Sequence, residues 1–316
     1  VTLRLRGWGW LLVAVSALAL PWMIYPPVAL DIACWGLFAV AVDLLVGYTG
    51  LLSFGHAAFW GTSAYTAGLV AIHTGWPFPV AALAGAAAAG LLGVPIGYLS
   101  VRRTGIYFAM VTLAFAQLVY FLANRWRSVT GGENGLQGVT RSLPGVDLSD
   151  PFLFYYAALP LLAGGLFVAW RIVHSPFGRV LLAVRDNPAR TRALGYPVDR
   201  YKLVAFVLSA GLSGLAGGVF ALGHGFASLE EVYWTASGKV VLIVVLGGIG
   251  TLWGGLLGAV LVVELEDYLS TAGFEDTGII TGAVFLLVVL VFRRGLWGTA
   301  AWAAAARGWA RAIPGR

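Results

Sequence analysis

The nineteen residues FLFYYAALPLLAGGLFVAW (152–170) contain no charged side chain, and no other feature limits the fold so strongly. A run of that length and apolarity is what an α-helix needs to cross the hydrocarbon of a bilayer. Comparable apolar segments fall near 8–25, 28–46, 50–72, 79–99, 106–123 and 203–223. Composition agrees: of 316 residues, 59% are hydrophobic and 11% charged, where a soluble domain carries about a quarter charged. The expected fold class is an all-α integral membrane protein, a polytopic helical bundle forming one domain over 1–316.

Residues 232–292 divide less simply. Positions 239–263 read as one long span, but GGIGTLWGG (Gly247–Gly255) interrupts it. If the chain turns at these glycines, 233–249 and 253–269 form a hairpin and 277–292 crosses back. Basic residues of polytopic proteins concentrate on the cytoplasmic face. Ten spans with both termini cytoplasmic leave only Arg125, Arg127, Arg141 and Lys239 outside, of 20 Lys and Arg. Nine spans would move the C-terminal arginines out as well, so about ten spans are expected. The largest aqueous pieces are then an outside loop, 124–151, and an inside loop, 174–202. The tail, 295–316, reads equally as an interfacial helix with Trp302 and Trp309 at the headgroups or as disordered chain. Arg4 and Arg6 ahead of Ala17-Leu18-Ala19 resemble a signal peptide; an uncleaved first span better suits a chain whose later spans need orienting.

The net charge of +6 belongs to that inner-face bias and points to the lipid bilayer, not to nucleic acid. No G-x-x-x-x-G-K-[ST] occurs, so nucleotide phosphates have no loop here. H-E-x-x-H and G-x-S-x-G are absent too. The single cysteine, Cys34, reads as a packed thiol, and no ligand spacing suggests a metal. His56, His73, His174 and His224 are dispersed over different segments, which argues against an embedded enzyme.

The inside loop carries its own punctuation. Ser175 before Pro176 reads as an N-cap and first helical residue, and Asn187 before Pro188 repeats the device. Gly195 after Leu194 reads as the stop, bounding a short helix at 188–194. So short a helix is marginal alone in water. It needs a surface, either the anionic inner leaflet or a cytoplasmic partner.

Three segments carry a family resemblance: GRVLLAVRDNPARTRALGYPVDRYKLVAFVLSAGLSGLAGGVFAL (178–222), GYTGLLSFGHAAFWGTSAYTAGL (47–69) and VLGGIGTLWGGLLGAVLV (245–262). They resemble signatures of the branched-chain amino acid ABC transporter permeases of LivM type, in the family's order, over roughly residues 30–294. The resemblance implies the permease subunit of an ATP-driven importer for branched-chain or similar apolar amino acids, in the bacterial inner membrane. It implies no catalytic residue and no cofactor in this chain, ATP being bound by a partner. The implied partners are a second permease of LivH type, two ATP-binding cassette subunits and a periplasmic solute-binding protein. Carried over residue by residue, Arg185, Asp186, Asn187, Pro188, Ala189, Leu194 and Gly195 would contact the ATPase. Similar permeases move urea, short amides or other organic solutes, so the solute stays open. An ATP-independent secondary carrier is the rival class, with Asp43 its one strong coupling acid.

Pathway candidates follow from the two glycine-rich interruptions. Gly47 and Gly50 allow close helix approach or a chain break, and Gly247, Gly248 and Gly250 form a comparable break; such breaks point to solute paths. Ser53 and Thr62 line the path or bond to local carbonyls. His56 lines it or ties helices together. Asp43 caps the Gly47–Gly50 turn or faces the path, and Gln117 is a further polar candidate. Lys239 is expected to pair with Glu230 or Glu231. The acidic residues Glu264, Glu266, Asp267, Glu275 and Asp276 are expected outside.

Overall fold

Prolines and glycines mark where helices start and stop in the computed structural model, which describes residues 8–144, 146–273, 277–291 and 295–297. In chain order come α1 (Trp8–Met23), α2 (Pro26–Thr49), α3 (His56–Thr74), α4 (Phe78–Ser100), α5 (Ile106–Arg125) and a one-turn α6 (Arg127–Thr130). Then follow α7 (Pro151–His174), α8 (Pro176–Asp186), α9 (Pro188–Ala193), α10 (Val198–His224), α11 (Trp234–Gly247), α12 (Gly254–Thr271) and α13 (Thr277–Val291). Pro26, Pro151, Pro176 and Pro188 each open a helix, where a missing N–H costs nothing. Four two-residue strands pair as β1 (Leu136–Gln137) with β4 (Phe226–Ala227), and β2 (Ser142–Leu143) with β3 (Val146–Asp147).

Among the described residues, five helices, α2, α4, α5, α7 and α10, are long and apolar enough to cross a membrane, and α11 is a shorter apolar helix. The chain is a polytopic membrane protein. Its centre is α2, buried along nearly its whole length among α7, α10, α11 and α12. Small residues bring α3, α4 and α10 together: a Cβ on Gly217 would lie 2.3 Å from the Trp60 carbonyl oxygen. Such backbone approach is how helices pack where lipid supplies no hydrophobic drive between them.

Contacts sort the helix ends onto two faces. On one, Tyr155 of α7 donates to the Ala17 carbonyl (2.7 Å) and His224 faces Asp31 (3.4 Å). Lys239 bonds Glu266 there, not Glu230 or Glu231 as the sequence suggested. The 124–151 segment closes over this face, its Arg141 guanidinium donating to the carbonyls of Leu222 and Gly223. The opposite face holds α8, α9, the α2–α3 break and the α11–α12 junction. That junction is a hairpin turn, with Gly258 packed on the Ile243 carbonyl and Gly247 on Gly254. Gly295 lies against Gly248, so the chain beyond α13 returns to the same face. The tail beyond 297, Arg4, Arg6, Arg293, Arg294, Glu275 and Asp276 lie outside the described residues.

Candidate functional site

The first break starts at Gly50, which adopts the left-handed conformation (φ +73°) and donates to the Val46 carbonyl. Helix resumes only at His56. This histidine is fully buried, Nδ1 lying 2.9 Å from Ser53 Oγ and Nε2 2.8 Å from Ser209 Oγ. Ser209 spends its hydroxyl proton on the Ala41 carbonyl, so it accepts from Nε2–H, leaving Nδ1 to accept from Ser53. A neutral imidazole thus ties α2, α3 and α10. Ala41 stands eight residues before the end of α2, about 12 Å up the helix. Residues 52–55 therefore climb back into the bundle outside any helix, after Gly50 and Leu51 have donated to the last turn of α2.

Membrane interiors do not tolerate unsatisfied amides, and hydroxyls supply the partners. Phe54 N–H donates to Thr112 Oγ1 (3.3 Å), Gly55 N–H to Ser53 Oγ (3.2 Å) and Ala57 N–H to Ser237 Oγ (2.8 Å). Thr112, Ser209 and Ser237 were not singled out in the sequence. Each is a small hydroxyl side chain in an apolar helix, and its partner in the break lies tens to hundreds of residues away.

The second break is held by Asp43. Its carboxylate, 1% exposed, accepts from the amides of Gly250 (2.7 Å) and Leu252 (3.0 Å). The capped turn is thus the one between α11 and α12, in place of the Gly47–Gly50 turn that the sequence suggested. Gly248 and Gly250 take positive φ there, and so does Leu252 (φ +59°), a conformation a leucine holds only under constraint. The two breaks touch: a Cβ on Gly47 would lie 2.6 Å from the Gly250 nitrogen and Cα.

The 174–202 loop reaches this junction. Ser175 caps α8 by accepting from Gly178 N–H, and Asn187 caps α9 by accepting from Arg190 N–H (2.9 Å). The short helix ends at Ala193, one residue earlier than expected, and Thr191 folds it onto α8 by bonding the Ala183 carbonyl (2.9 Å). From the last turn of α8, Arg185 donates to the Gly47 carbonyl while its stem covers Gly50. Asp186, Asn187, Pro188, Ala189, Leu194 and Gly195 are exposed, Leu194 by 72%. Thr62 and Gln117 are half-buried on α3 and α5, and the carbonyl of Thr62 accepts from Thr66 (2.7 Å). Among the described residues, no group of three His, Cys, Asp or Glu is placed to hold a metal.

A polytopic helical bundle with two buried chain breaks, joined beneath an exposed basic loop, has the build of a membrane transport permease. The family model described as "Branched-chain amino acid transport system / permease component" matches residues 27–289, and the chain belongs to that family. It is a transport subunit rather than an enzyme. The chain is 32% identical to the high-affinity branched-chain amino acid transport system permease protein LivM of Escherichia coli, over 90% of its own length and 74% of the relative's. The LivM of Salmonella typhimurium matches at 32%, over 89% and 72%. The autoinducer 2 import system permease protein LsrC of Klebsiella pneumoniae is 36% identical over 44% of this chain and 42% of its own. No solved structure matches the chain.

Proposed function

We propose that this chain is one permease half of an ATP-driven importer for branched-chain or similar apolar amino acids, the solutes named for its LivM relatives. It crosses the inner membrane ten times with both termini cytoplasmic. A second, LivH-type permease, two ATP-binding cassette subunits and a periplasmic solute-binding protein complete the assembly. Ten crossings are supported by the hairpin at Gly247–Gly254 and by the return of Gly295 to Gly248.

The observation that carries the reading is the reach of Arg185 from the exposed loop to the Gly47 carbonyl. Arg185 is the link between the loop surface and both breaks. A cassette subunit seated on Ala189 and Leu194 would move α9 and α8 as one body, because Thr191 and the Asn187 cap fasten them. That motion would pull on Gly47, which touches Gly250 and the Asp43-held turn. Access would then alternate by displacement of the α11–α12 hairpin against α2. Such force transfer needs discrete packed contacts, and the one that joins the two breaks, Gly47 on Gly250, is backbone on backbone.

Coexpression with the proteins encoded beside it, followed by copurification, tests the reading. A P-loop ATPase is expected to copurify with the wild type and to be lost from Ala189→Asp plus Leu194→Asp, with the membrane part still monodisperse. A wild type that never retains an ATPase would favour a carrier that needs none.

A further inference from the structure

On the face covered by the 124–151 segment, a cavity of about 370 Å³ opens between α2, α3, α10 and the start of α11. Beside it, Ser237 in the first turn of α11 bonds Ala57, next to the mid-bundle His56. Segment 225–233 must therefore dip inward from the end of α10 to begin α11. Trp35, Trp60 and Phe220 form an apolar wall, the two indoles stacked at 5.1 Å and Phe220 5.3 Å from Trp60.

The rest of the lining is charged. Glu231 is 8% exposed; its Oε1 accepts from Ser228 N–H (3.3 Å), while Oε2 has no hydrogen-bond partner among the described residues. Burial pushes this carboxyl up to about 8 against the pull of Ser228, so an arriving cation is what would hold it ionised at neutral pH. Glu230 lies beside it. Lys239 bonds Glu266 and sits 4.3 Å over the Trp35 ring; an ammonium carries three donors, so one bond to Glu266 does not exhaust it. The N-terminal turn of α11, through Thr235 and Ala236, also lines the cavity and favours negative charge.

We propose that this cavity holds the solute in transit, an α-amino acid with an apolar side chain. Its ammonium meets Glu231 and Glu230, its carboxylate meets Lys239 and the start of α11, and its side chain lies on Trp35, Trp60 and Phe220. The inference rests on the importer reading and adds the site at which this chain handles the solute.

The test is ATP-driven uptake of L-leucine by the full assembly in proteoliposomes at subsaturating leucine. Lys239→Gln and Glu231→Gln are each expected to lower uptake roughly tenfold or more, the scale of a charge-assisted hydrogen bond. Lys239→Arg should recover most of the loss. Glu266→Gln removes only the protein's own ion pair and should keep most of the uptake. A wild type that moves no leucine overturns the importer reading and this site with it. With the wild type active, full uptake by Lys239→Gln and Glu231→Gln overturns the site alone. So does a loss in Glu266→Gln as deep as that in Lys239→Gln.

Discussion

Gly47 has no room for a methyl group. A Cβ there would lie 2.5 Å from Asp43 Oδ1 and 2.6 Å from the backbone of Gly250. Neither neighbour yields easily, because Asp43 is pinned by two amides and Gly250 is backbone. Gly47→Ala is expected to cost about 1–3 kcal/mol, the usual range for overpacking, and to lower the thermal midpoint in detergent; an unchanged midpoint would mean that the two breaks are not in contact. The sequence GYTG announced that something approaches closely, because glycines in an apolar span have few other uses. It could not name the neighbour, which is 203 residues further on. Asp43 was legible as a cap for the same reason, but its turn was not, since hydrogen bonds to distant amides leave no local spacing. Lys239 had two acids within ten residues and pairs with Glu266, which only the α11–α12 hairpin brings near.

Among the elements, the short ones were written most clearly. Ser175-Pro176 and Asn187-Pro188 announce α8 and α9 because capping is a local matter of one side chain and one amide. Removing the second cap by Asn187→Ala is expected to cost about 1 kcal/mol of local stability. Amide exchange of residues 190–193 should rise several-fold, while that of α10 stays unchanged; equal protection would mean that α9 is held by Thr191 alone. α9 ends at Ala193 because Leu194 is already its C-cap, followed by left-handed Gly195 with Tyr196 N–H returning to the Thr191 carbonyl (3.3 Å). The glycine run at 247–255 was ambiguous for another reason: a kinked span and a hairpin share one composition. Charge balance favoured the hairpin, and the positive φ values of Gly248, Gly250 and Leu252 make the turn. Of the hydroxyls that satisfy the first break, Ser53 was legible, but Thr112 and Ser237 were not, since a hydroxyl in an apolar helix usually bonds its own backbone.

At the scale of the whole molecule, the two chain breaks meet each other beneath the 174–202 loop, and the charged cavity opens on the far face. Arg185 stands between them: its guanidinium holds Gly47 while its own helix carries the loop surface. If loop motion drives the breaks, losing this side chain should separate ATP hydrolysis from transport without dissolving the assembly. The most direct measurement is the number of leucine molecules moved per ATP hydrolysed in proteoliposomes, for wild type and Arg185→Ala. The expected result is an assembled, hydrolysing Arg185→Ala complex whose leucine-to-ATP ratio falls roughly two- to thirty-fold, the span of coupling energies carried by single residues. A ratio equal to that of the wild type would contradict coupling through Arg185 and Gly47.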